Sequence, residues 1–159
     1  MGITTFSGPV KVGDIKFTTG TTLGQDVANL GTVISMQSEA ITQAGPAADG
    51  IYTTNIVIPA NSTITAIQLY INGVWSGAAS TLGIGTTASA TALTAAGAVA
   101  GGTLGIISAT AGADATRVAT WANVGTTDIR IKVTSTNTGT GTATLVVAYV
   151  QSPNATFVV

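Results

Sequence analysis

No run of strand-forming residues in this chain goes far before a turn residue stops it. Residues 33–43 alternate loosely and end at Gly45-Pro46. Residues 51–58 are β-rich and end at Pro59-Ala60-Asn61. Residues 64–71 put Thr65, Ile67, Leu69 and Ile71 on one face and Ile64, Ala66, Gln68 and Tyr70 on the other. Asn72-Gly73 follows as a hairpin signal. Residues 81–86, 103–110 and 116–121 read as further short strands. Residues 129–135 alternate most cleanly, with Ile129, Ile131 and Val133 inward and Arg130 and Lys132 outward. In 143–151 both faces are largely apolar, which predicts a central strand buried on both sides.

Seven or eight short strands, spaced by roughly ten residues and divided by Gly, Pro and Asn, predict an all-β antiparallel sandwich or jelly roll. No sustained helical period and no solenoid repeat competes with that reading. The small-residue stretch 88–100 reads as a loop holding no more than a helical turn. Residues 1–31 are broken by Gly8-Pro9, Gly13, Gly20 and Gly24, and read as an extended arm. The predicted organisation is an arm over 1–31 and a β-sandwich over 32–159. The apolar end Phe157-Val158-Val159 calls for a cover.

Composition then limits the chemistry. Only 7% of the 159 residues are charged, against about a quarter in an ordinary domain. The chain has no His and no Cys, so the common general base, thiol catalysis, disulfides and Cys-ligated zinc are excluded. Its carboxylates, Asp14, Asp26, Glu39, Asp49, Asp114 and Asp128, show no pairing pattern for hydrolysis and no calcium-loop spacing. No catalytic residue, metal or cofactor is expected, and the chain reads as no enzyme. The cations Lys11, Lys16, Arg117, Arg130 and Lys132 are scattered and the net charge is −1, which disfavours nucleic acid and anionic membranes. The mean hydropathy of +0.51 raises the membrane question, but Thr, Ser or Gly interrupts every apolar run short of a span. The N-terminal residues lack the pattern of a signal peptide, so cytoplasmic synthesis is expected.

Few residues invite a functional reading. Gly83-Ile84-Gly85 resembles the start of a phosphate loop but sits inside a strand pattern, where it predicts close backbone packing. Trp121 lies in an apolar run and reads as core. Trp75, between Asn72-Gly73 and Ser76-Gly77, admits two readings: an exposed anchor for a partner or ligand, or local packing.

Four segments carry a resemblance. They are Thr5-Phe6-Ser7-Gly8-Pro9-Val10-Lys11-Val12-Gly13, Val57-Ile58-Pro59-Ala60-Asn61-Ser62-Thr63-Ile64-Thr65, Val124-Gly125-Thr126-Thr127-Asp128-Ile129-Arg130-Ile131, and the strand over 144–151. Together they resemble the small virion proteins of tailed, marine podovirus-like bacteriophages, and among these the capsid decoration, or cement, proteins. The resemblance implies a β-sandwich on the capsid exterior, a homo-oligomer (a trimer above all), and the major capsid protein as partner. It implies that the arm lies along the shell, with partner contacts at Phe6, Lys11, Lys16, Phe17 and Trp75. The alternative is a head-fibre, tail or receptor-binding component, or a carbohydrate-binding module using Trp75, Tyr52 or Tyr70.

Overall fold

A computed structural model describes residues 34–43, 51–76, 81–135 and 138–151 of the chain. They form eight strands and one helix. The strands are β1 (Ile34–Thr42), β2 (Ile51–Ile58), β3 (Ser62–Gly73), β4 (Thr81–Thr86), β5 (Val99–Ala100), β6 (Gly105–Ala109), β7 (Ile129–Ser135) and β8 (Thr142–Gln151). The helix, α1 (Ala115–Ala122), lies between β6 and β7.

The strands make two antiparallel four-stranded sheets, ordered β1-β8-β3-β6 and β2-β7-β4-β5. The pairing is that of a long hairpin rolled on itself. First joins last, β2 joins β7, β3 joins β6, and the innermost pair is β4 with β5. Rolling brings β3 beside β8 and β4 beside β7. This is the jelly-roll arrangement of an all-β sandwich, as the turn-punctuated sequence predicts.

The core lies between the sheets. Ile41, Ile67, Leu69, Leu82, Ile84, Ile131, Val133, Leu145 and Val147 are all buried there, drawn from both sheets by the two-residue period. Strand β8 is central in its sheet, but it is not buried on both sides as its two-sided apolar pattern predicts: Val146 and Val150 lie half-buried on the outer face.

Three local expectations are corrected. Regular alternation separates Ile64 from Ile67, yet both are buried. A β-bulge causes this: β3 advances from Ile64 to Ala66 while β8 advances one residue, from Tyr149 to Ala148, so Thr65 is the extra residue. Asn72-Gly73 does not turn a hairpin. Gly73 still pairs with Thr142, and the chain then crosses to β4 in the other sheet.

The third correction is 116–121, which is helix rather than strand. Thr, Val and Trp favour strands, but Asp114 caps the segment by accepting a hydrogen bond from the Arg117 N–H at 2.9 Å. That bond holds the Asp114 carboxyl below its ordinary pKa, and the Arg117 guanidinium at 3.8 Å adds to it. A lowered folded pKa contributes stability that is present above the unfolded value and is lost as pH falls below about 4. Wild type should therefore be more stable than Asp114→Asn near neutrality and lose that advantage on acidification. Paired denaturant curves across pH would show the two converging; a difference independent of pH would contradict it.

The segment 87–98 is a loop with turns, and it is pinned to β4. Thr94 does the pinning: its Oγ1 accepts from the Ile84 N–H at 2.7 Å, and its N–H donates to the Ile84 carbonyl at 2.8 Å. A Cβ built on Gly85 would run into the backbone of Ser89 and Ala90. Close backbone approach is thus what Gly85 serves, while a Cβ on Gly83 would meet only ordinary contacts at 3.6 Å. Gly85→Val should cost about 1–3 kcal/mol in urea unfolding; an unchanged midpoint would show that the loop yields freely.

Candidate interaction surface

Alternation along β1, β8, β3 and β6 decides which side chains face away from the core. Across the sheet they fall in rows. Ile34 stands beside Val150 and Thr63, and Met36 beside Ala148 and Ala66. Ser38 stands beside Val146, Gln68 and Ser108, and Ala40 beside Thr144, Tyr70 and Ile106. Ile34, Met36 and Ile106 are 60%, 64% and 62% exposed, and Leu104, just before β6, is 60% exposed. Outer sheet faces normally carry polar side chains. Among the described residues this one carries no charge, and it is apolar at two corners.

The charges among the described residues stand elsewhere. Glu39 belongs to the inward-facing set of β1 with Gln37. Asp114 and Arg117 flank the start of α1. Asp128 accepts from the Ala60 N–H. Arg130 and Lys132 are on β7, in the other sheet.

The two edges of the sheet differ. At β1, Gln37 and Glu39 reach to β2 in the opposite sheet. The Gln37 amide donates to the Val57 carbonyl at 2.6 Å and accepts from the Val57 N–H at 3.1 Å. The Glu39 carboxylate accepts from the Asn55 N–H and from the Tyr52 hydroxyl. Burial and that hydrogen bond raise the Tyr52 pKa. Inward-pointing polar side chains of this kind protect an edge strand. Strand β6 pairs with β3 on one side only, and among the described residues no backbone hydrogen bond reaches its other side.

Trp75 is not on this surface. It is 2% exposed, and its indole N–H donates to Ser135 Oγ at 2.9 Å. A Cβ on Gly141 would come within 2.6 Å of Trp75 Cα and 2.7 Å of its Cε3, so the indole lies flush against the turn before β8. The reading of Trp75 as a partner-binding anchor is corrected: the core covers the ring. The aromatic platform of a carbohydrate module loses it too, and Tyr52 is half-buried and held by Glu39. Trp121, read as a core strand residue, packs against the core from α1, and its indole N–H donates to the Leu93 carbonyl. Phe6, Lys11, Lys16 and Phe17, with the arm over 1–31 and the end Phe157-Val158-Val159, lie outside the described residues.

A cavity of about 100 Å³, lined by Gly83, Ala90, Thr91, Ala96, Gly97, Thr134 and Ser135, is well below the roughly 300 Å³ of a small-molecule site. The outer face and its β6 edge are the candidate site, on the strength of their exposed apolar side chains. They suit contact with another protein surface. The sequence carried a signal for them: the second apolar face of 143–151 is this surface, and Val146 and Val150 lie on it.

No protein-family model matches the chain, and no curated protein matches it. Solved structures do. A chain from the capsid of Ralstonia phage GP4 is similar at 20% identity and a TM-score of 0.55, over 84% of this chain and 92% of that one. A chain from the capsid asymmetric unit of cyanophage Pam1 is similar at 20% identity and a TM-score of 0.51, over 91% of this chain and 99% of that one. At this identity the likeness is one of fold, and it runs nearly the whole length of both neighbours.

Proposed function

We propose that this chain is a structural protein of a bacteriophage virion, and that it decorates the outside of the capsid and cements neighbouring capsomers. The observation that carries the proposal is the uncharged, partly apolar outer face of the β1-β8-β3-β6 sheet. Exposed apolar area on a small domain favours burial against another protein. Such a face loses little on desolvation, because it holds no ion to strip of water. The end-to-end likeness to chains in two phage capsids supports the same reading. The role needs no catalysis, in keeping with a chain that has no His and no Cys.

Mechanically, a clamp of this kind acts by mass action. Binding the expanded shell and not its precursor shifts the balance toward the expanded state. Many symmetry-related copies add up, so no single contact has to be strong. The arm over 1–31 extends the contact along the shell, and copies of the chain also associate with each other.

The test is to add purified protein to expanded shells that lack it. Saturable binding at a ratio set by shell symmetry, with a raised shell melting temperature, is the expected result. Deleting residues 1–20 should sharply weaken that binding and leave the sandwich folded. Shells that bind no protein, or bind it without gaining heat resistance, would reject cementing.

A further inference from the structure

We infer that the open edge of β6 is a contact between two copies of this chain, in which β6 of one pairs antiparallel with β6 of the other about Ile107. The inference rests on the reading of the chain as an assembly protein and names the surface through which copies meet.

The two edge strands of the sheet are protected differently. Both edge strands have one unpaired side among the described residues, but at β1 the Glu39 carboxylate points inward beside that edge, Gln37 and Glu39 tie the strand to the backbone of β2, and the Tyr52 hydroxyl donates to the Ala40 carbonyl. At β6, alternate N–H and C=O groups point away from β3, and among the described residues none is hydrogen-bonded there. A strand edge in this condition is a template for another strand. Residues 105–109, Gly-Ile-Ile-Ser-Ala, have none of the usual blocking devices: no charge, no Pro and no bulge in the pairing with β3.

The occupant follows from the residues themselves. A charged partner strand would bring ions against Ile106 and Leu104, both of which are exposed. A second β6 brings none. Antiparallel pairing about Ile107 sets Gly105 opposite Ala109, Ile106 opposite Ser108 and Ile107 opposite its own mate, so a small side chain meets its neighbour at every flanking position. Ile107 is partly buried against the core, and its symmetry mate would take the same position in its own domain. The product is one continuous sheet through both copies, with an uncharged outer face. The contact is two-fold and isologous.

Disulfide trapping gives a register-specific test, because the chain has no Cys of its own. Directly opposed residues in an antiparallel pair have Cα atoms about 4.5–5.5 Å apart, within disulfide reach. Chains carrying Ile106→Cys and chains carrying Ser108→Cys are prepared separately, then mixed under mild oxidation. The mixture should form cross-linked dimers in clear excess over either chain alone. Equal yields in all three samples would overturn the pairing.

Sedimentation supplies the second readout. Ile106→Lys places two ammonium groups at the contact and should weaken self-association by about tenfold or more, with the circular dichroism spectrum unchanged. An association constant that ignores Ile106→Lys also overturns the inference. Either failure leaves decoration standing if the protein still binds and stabilises shells. Loss of shell binding with the cross-link intact would reject decoration and keep the pairing.

Discussion

Replacing Trp75 with Ala should lower the stability of the sandwich by about 3–5 kcal/mol and leave the surface of the folded protein unchanged. The indole is the largest of the fully buried side chains. It fills the place where the chain leaves β3 for the other sheet, and its backbone N–H is bonded to the Gly101 carbonyl at 2.9 Å. Truncation opens a cavity that Gly141 cannot fill, since a glycine has no side chain to move into it. It also removes the bond to Ser135 Oγ. For a chain of this length the expected fall in melting temperature is about 10 °C or more. Circular dichroism should follow the unfolding, because the substitution also removes a fluorophore. Trp75→Phe should recover part of the loss. A small change in stability joined to a loss of shell binding would contradict the core assignment and return Trp75 to the surface.

Gln43→Ala should cost about 2–4 kcal/mol, a large effect for a residue in no strand. Gln43 is 1% exposed and ties three pieces of chain together. Its amide donates to the Ser76 carbonyl at 2.5 Å. Its Oε1 accepts from the N–H groups of Ser76 at 2.7 Å and Gly141 at 3.1 Å. Its own N–H donates to the Gly141 carbonyl at 2.7 Å. Alanine keeps the last bond and strips the others, so backbone groups at Ser76 and Gly141 lose their partner. Gly141 is buried, and losing the partner of a buried donor costs more than making the bond gains, whereas Ser76 is exposed to water. Because Trp75, Ser76 and Gly141 share this junction, Gln43→Ala and Trp75→Ala should not add. A double-mutant cycle should give a coupling of at least about 0.5 kcal/mol. Strict additivity would show that the two side chains act independently.

The strands were legible wherever two-residue alternation and a stop residue agreed. Ile131 and Val133 against Arg130 and Lys132 is the clearest case, and the stops at Gly45-Pro46 and Pro59-Ala60-Asn61 bound β1 and β2. What stayed hidden was decided by distant pairing. The bulge at Thr65 depends on the register with β8, which follows β3 by some seventy residues in sequence. Asn72-Gly73 reads as a turn on local grounds, but pairing of Gly73 with Thr142 keeps it in a strand. For Trp75 the turn-forming neighbours left exposure and local packing both open, and the arrival of Gly141 and Ser135 decides for packing. Helix α1 had a local signal in Asp114, which the β-forming Thr, Val and Trp outweighed.

The candidate surface was legible in part. Two apolar faces on residues 143–151 mark a central strand, and they equally mark a strand whose outer side meets a partner. The pattern alone does not distinguish these. That β6 pairs on one side only among the described residues was beyond sequence reading, because it depends on which distant strand the chain sets beside it.

The central claim is that this chain is a stoichiometric part of a phage shell. The most direct measurement is the number of its copies in purified virions relative to the major capsid protein. A ratio of comparable magnitude is expected, with particles that lack the chain losing resistance to heat. A handful of copies per virion would contradict decoration and assign the chain to a tail or fibre, and none at all would remove it from the virion.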